Sequence, residues 1–70
     1  MRTKIQEELD RQERSVHYLH RKIGGNRTLL YNICKGFCRA TTPQRERIAS
    51  ALGVPVNDLF DGNGMALRGN

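Results

Sequence analysis

A short polar face within residues 26 to 35 carries the side chains with the most distinctive chemistry. Four polar residues recur at i, i+3, i+4 and i+7, the spacing of one helical face: Thr28, Tyr31, Asn32 and Lys35. Threonine, tyrosine and asparagine form helices less readily than the Glu, Lys and Gln that fill an ordinary solvent face. Their hydroxyl and amide groups are donors and acceptors that suit the edges of nucleic-acid bases. The face therefore indicates hydrogen-bonded recognition of bases.

The opposite face of this segment is apolar. The same helical spacing brings together Leu30, Ile33, Cys34 and Phe37. The pattern predicts a short, two-sided helix whose apolar residues, Phe37 included, face the core. We expect Asn26 to cap its start and Gly36 to close it in the left-handed conformation.

Four further helices are predicted around this one. The apolar stripes, capping residues and glycines bound them at about 3 to 12 or 13, 16 to 23, 43 to 52 and 56 to 60. Ser15 is the expected cap of the second helix, which Gly24 ends, and Thr42 the expected cap of the fourth. Residues 61–70 are rich in glycine with little to pack, so we predict one domain over 1–60 and a flexible C-terminal tail over 61–70.

The positive charge is concentrated along the chain. The net charge of the 70 residues is +5, but residues 14–47 hold eight Arg and Lys against Glu46 alone, which gives +7 there and −2 elsewhere. A polyanionic partner favours such a concentration, because bound cations release its counterions. A basic face that is merely solvated is the alternative.

Several classes of protein are disfavoured by composition. No apolar run could span a bilayer and no signal peptide precedes the first helix, so we expect a cytoplasmic protein with no membrane partner. Cys34 and Cys38 are too few for a disulfide scaffold, and too few for zinc unless His17 and His20 complete the site. We expect reduced thiols, no metal, no cofactor and no small-molecule effector. No spacing indicates a nucleophile with its base, so an enzyme is not expected.

The chain also resembles a known family. The resemblance rests on the turn and apolar positions of a helix-turn-helix, Leu19, Ile23, Gly24, Leu30 and Ile33, followed by "CKG", "IASALGV" and "VNDLF". Over residues 15 to 60, without a gap, the sequence is similar to the Cro/repressor-type family. This similarity implies an all-α fold, a compact five-helix lambda-repressor-like domain with the helix-turn-helix at helices 2–3. It also implies a homodimer bound to double-stranded DNA at a pseudo-palindromic operator.

The resemblance implies two sets of DNA contacts. The base-reading positions fall on Arg27, Thr28 and Asn32, with Tyr31 beside them. Arg27 can form a bidentate contact with guanine and Asn32 with adenine, although Arg27 could also be a solvated cation. The expected phosphate contacts come from the start of the second helix, the start of the third and the flanking cations: Ser15, Val16, His17, Asn26, Lys35 and Arg39. For Asn26, capping alone is an equal alternative.

Some positions depart from the family pattern. His20 stands where a small Ala is usual, Gly25 where an apolar residue is preferred, and Glu13 with Arg14 where a Gly-apolar pair is common. Leu9 and Cys34 occupy positions that often hold an Arg–Glu pair in that family. Because both positions are apolar here, neither leaves a buried charge without its partner. Leu29 has three open roles: touching a thymine methyl, filling space left by Gly25, or lying exposed.

These features together predict a sequence-specific transcriptional regulator. We expect a Cro-like repressor of phage or bacterial origin, cytoplasmic and associated with the nucleoid through DNA. The alternative is a protein-interaction module of the same fold, an antitoxin or adaptor for which DNA binding is secondary. The polar face between Arg27 and Asn32 favours DNA, because a protein-binding surface would carry exposed apolar anchors.

Overall fold

Five helices joined by short turns make up the fold. The computed structural model describes residues 2–69. The helices are α1 (Lys4–Arg11), α2 (Val16–Ile23), α3 (Arg27–Lys35), α4 (Thr42–Leu52) and α5 (Val56–Leu59). The described chain contains two isolated antiparallel bridges but no strand. The predicted all-α class is therefore confirmed.

Capping residues set the helix starts. The side chains of Thr3, Ser15 and Asn26 each accept a hydrogen bond from the backbone N–H three residues on, at the starts of α1, α2 and α3. The α4 cap is Thr41, one residue before the predicted Thr42, because the N–H and side chain of Gln44 pair with Thr41. The remaining helix ends agree with the sequence pattern to within one or two residues.

The core lies where the helices pack in pairs: α2 against α3 and α4, α4 against α5, and α1 against α3 and α5. The core includes Leu9 and Cys34, the two positions that are both apolar in this sequence. Leu9 is 3% and Cys34 0% exposed. One core prediction is wrong: Phe37 is 73% exposed. The helix ends at Lys35, and Gly36 turns the chain at φ 84°, so the helical spacing no longer applies to Phe37.

The segment after α5 is packed, which differs from the predicted tail. The N–H of Leu67 donates to the Leu59 carbonyl (2.8 Å), and the Leu67 carbonyl accepts from Lys4 N–H (2.7 Å). Residues 61–69 therefore belong to the same folded unit as residues 2–60. The glycine-rich composition does not reveal that backbone hydrogen bonds hold this segment and that Ala66 is buried in the core. The prediction for Asn70 lies outside the described residues.

The helices are all short. Among residues 2–69, none is long and apolar enough to cross a membrane.

Candidate nucleic-acid interface

A tight glycine turn joins α2 to α3. Gly24 and Gly25 have φ of 71° and 85°, in the left-handed region that side chains rarely adopt. A Cβ at either position would meet nothing within 4 Å, so backbone conformation rather than crowding calls for glycine. The Nε2 atom of His20 lies 2.9 Å from the Gly25 carbonyl oxygen, which accepts a hydrogen bond from it. Two departures from the family pattern, His20 and Gly25, are thus partners in one contact.

Leu29 packs beside this turn. It is half-buried against the core and, with Gly25 and Ile48, lines a cavity of about 70 Å³. Of its three open roles, full exposure is excluded, and packing into the space beside Gly25 fits the structure.

The predicted base-reading side chains lie on the outer face of α3. Arg27, Thr28 and Tyr31 are exposed, and Asn32 is half-buried. No hydrogen bond within residues 2–69 uses any of these four side chains. Their donors and acceptors are therefore available to a ligand.

Two of the predicted phosphate contacts act first as helix caps. The Asn26 Oδ1 atom accepts from Leu29 N–H at 3.0 Å, and the Ser15 Oγ atom accepts from Tyr18 N–H at 3.3 Å. Val16 packs its side chain against the core, which leaves its backbone N–H as the group that can face a ligand. Backbone N–H groups in the first turn of a helix have no intrahelical partner. Those at the start of α2 can therefore donate hydrogen bonds to a ligand.

The other predicted phosphate contacts are exposed and lie on different elements of the fold. His17 lies on α2, in one shallow depression with Ser15. Lys35 is the last residue of α3, and Arg39 lies in the loop before α4. The fold brings α4 to the start of α3 as well, since Arg47 lines the same cavity as Asn26. The sequence did not place Arg47 at this site. Arg47 belongs to the basic window, but no residue spacing relates it to α3.

The cations of the basic window are not paired with carboxylates among the described residues. Three ion pairs lie at or before α1 and join Arg2 to Asp10, Lys4 to Glu7 and Arg11 to Glu8. None of the cations of residues 14–47 takes part in one. The acidic side chains of α1 are thus matched by nearby cations, while α2, α3 and α4 carry Glu46 as their one acidic residue and no ion pair among the described residues involves their cations.

The cysteines provide no site. Both are free, and burial raises the pKa of the Cys34 thiol to about 12, which keeps it protonated. Within residues 2–69, no group of three His, Cys, Asp or Glu is placed to hold a metal ion.

No family model, curated protein or solved structure matches the chain. The geometry of α2 and α3 and the cations around them is therefore the basis for assigning a function.

Proposed function

We propose that this protein is a sequence-specific DNA-binding regulator of the Cro/repressor type. In this proposal α2 and α3 form a lambda-repressor-like helix-turn-helix, and α3 enters the major groove. The observation that carries the proposal is the outer face of α3 directly after the turn, where the side chains of Arg27, Thr28 and Tyr31 are exposed and form no hydrogen bond within residues 2–69. The first residues of a recognition helix are those that contact base edges in this class of motif.

The side chains of this face match particular bases. Arg27 offers two parallel donors to guanine, Asn32 a donor and an acceptor to adenine, and Thr28 a hydroxyl or a methyl group. Each good bidentate contact discriminates against a wrong base by roughly 1–3 kcal/mol. Tyr31, 37% exposed, lies beside these groups and contributes a ring edge and a hydroxyl.

Backbone contacts would hold the helix in register. The first-turn amides of α2 after Ser15, at Val16 and His17, suit a phosphate, as helix starts generally do. Lys35 and Arg39 supply flanking cations. The backbone N–H groups after Asn26, at the start of α3, would bind a second phosphate in the same way.

The regulatory action is occupation of an operator. A homodimer would place two α3 helices in successive major grooves, about 34–36 Å apart, and so select a pseudo-palindrome. Repression then follows from blocking access to the same DNA, in the cytoplasm, with no cofactor required.

Selection of bound sequences from a random duplex pool tests this function. The parent should enrich a motif, and Arg27→Ala and Asn32→Ala should each lose preference at one position per half-site. Arg11→Ala is the matched control, because it removes one charge from α1, where Arg11 pairs with Glu8. Enrichment of no motif, or of an unchanged motif by both α3 variants, would contradict the proposal.

A protein-interaction module of the same fold is the second candidate, and one observation favours it. Phe37 is 73% exposed and borders a groove lined by Met65 and Leu67, which is the kind of apolar anchor that protein partners use. An antitoxin or adaptor of this kind would enrich no DNA motif in the same selection.

A further inference from the structure

The outer surface of α2 carries a cluster of cations around one aromatic ring. The Arg14 guanidinium carbon lies 4.0 Å from the centroid of the Tyr18 ring, and the Lys22 Nζ atom lies 5.8 Å from it. Tyr18 is half-buried, while Arg14 and Lys22 are exposed. The one ring thus contacts two cations.

No carboxylate of the described chain balances this cluster. Arg14, Arg21 and Lys22 form no ion pair within residues 2–69, and the nearest acidic residue in sequence, Glu13, pairs with none of them. Like charges held together on a solvent face repel one another, and solubility alone favours mixed signs. A polyanion relieves this repulsion by replacing the counterions that the cluster would otherwise hold.

The cluster is continuous with the start of α2. One shallow depression is lined by Ser15, His17, Tyr18, Arg21 and Lys22. Its edge at Ser15 coincides with the first-turn amides that the proposed function assigns to a phosphate. A nucleic-acid strand bound at those amides would therefore continue along the cations of α2.

We propose that this α2 surface, formed by Arg14, His17, Tyr18, Arg21 and Lys22, binds backbone phosphates of duplex DNA outside the base pairs that α3 contacts. The inference rests on the proposed function and extends its footprint. The guanidinium and ammonium groups contact phosphate oxygens, and the Tyr18 ring supports Arg14 and Lys22. The surface adds affinity that depends on salt but not on sequence.

Salt titrations on two duplexes test the surface. Both duplexes carry the selected motif, one ending at its edges and the other extended by one helical turn on each side. On the extended duplex, Arg14→Ala and Lys22→Ala should each flatten the salt dependence of the binding constant by about one unit of slope. On the short duplex the parent and both variants should have the same slope.

Matched variants separate charge from structure. Lys22→Arg keeps the cation and should retain the parent slope, while Arg11→Ala removes a cation from α1 and should also leave it unchanged. Equal slopes for the parent, Arg14→Ala and Lys22→Ala on the extended duplex would overturn the inference. Binding of polyglutamate that Lys22→Ala abolishes, with DNA slopes unchanged, would also overturn it in favour of an acidic peptide.

The inference and the proposed function fail in different ways. If the selection enriches no motif, the function fails, and the titration is run on short and extended duplexes of one arbitrary sequence. A flattened slope there would support a phosphate site on α2 without sequence recognition by α3. A motif with unchanged slopes would support the function and overturn the α2 surface.

Discussion

Cys34 shows how burial governs the chemistry of one side chain. It is fully buried at the end of α3, and burial raises the pKa of its thiol from 9.0 to about 12. The folded protein therefore keeps a proton that the unfolded chain releases above about pH 9. The stabilisation is complete below that pH and is lost as pH rises toward 12.

The free energy of unfolding should consequently fall at alkaline pH because of Cys34. Between pH 9 and 10.5 the parent should lose up to about 1.4 kcal/mol per pH unit more than Cys34→Ala, measured by urea denaturation. Cys38→Ala should keep the steep dependence of the parent. Identical pH dependence of the parent and Cys34→Ala would contradict this explanation.

Part of the candidate site was predictable residue by residue. The exposure of Arg27, Thr28 and Tyr31 follows from helical periodicity, which depends on local geometry alone. Phe37 was misplaced because the period was extended past Gly36, where the helix had ended. The place of Arg47 beside Asn26 could not be predicted, because it depends on how α4 packs.

The connection between α1 and α2 is a tight turn in which a residue other than glycine adopts the left-handed conformation. Arg14 N–H donates to the Leu9 carbonyl (2.8 Å) and Glu13 N–H to the Asp10 carbonyl (3.0 Å), the hydrogen bonds of a Schellman motif. Glu13 has φ 57° at the position that usually holds glycine. The chain thus keeps the usual turn geometry but places a strained residue in it, and directs Arg14 onto Tyr18.

Replacing Glu13 by glycine should therefore stabilise the protein. Relief of the left-handed conformation outweighs the added freedom of glycine in the unfolded chain by about 0.5–1 kcal/mol. Glu13→Ala removes the same charge but keeps a Cβ, so it should give no such gain. Thermal and urea denaturation of the two variants compare them directly, and equal stabilities would mean that backbone strain is not the cause.

Helix boundaries were predicted well where the signals are local. A cap such as Asn26 and a left-handed glycine such as Gly36 act within one turn of the chain. The start of α4 was missed by one residue because Thr41 and Thr42 are both capable caps. The pairing of Thr41 with Gln44 decides between them.

At the scale of the whole molecule, the segment after α5 closes the domain. Gly64 is buried, and its carbonyl accepts from Ala40 N–H at 2.9 Å, which ties this segment to the loop between α3 and α4. A Cβ at Gly64 would lie 2.6 Å from the Ala40 carbonyl oxygen, and its φ is 88°. Both the space and the conformation at this position call for glycine.

Gly64→Ala should destabilise the protein much more than the same change two residues earlier. We expect a loss of roughly 2–4 kcal/mol in the free energy of unfolding, from the left-handed conformation together with backbone displacement. Gly62→Ala is the control, since a Cβ there meets nothing within 4 Å. Equal stabilities of the two variants in urea denaturation would show that the segment does not support the fold.

The pairing of the first and last described segments also constrains the order of folding. Gly69 N–H donates to the Arg2 carbonyl at 2.6 Å, so Arg2 binds a residue that is made more than sixty positions later. During translation, α2, α3 and α4 can begin to associate as they leave the ribosome, because the contacts among them span short stretches of chain. The start of α1 can form its backbone hydrogen bonds to residues 67–69 only after those residues have emerged.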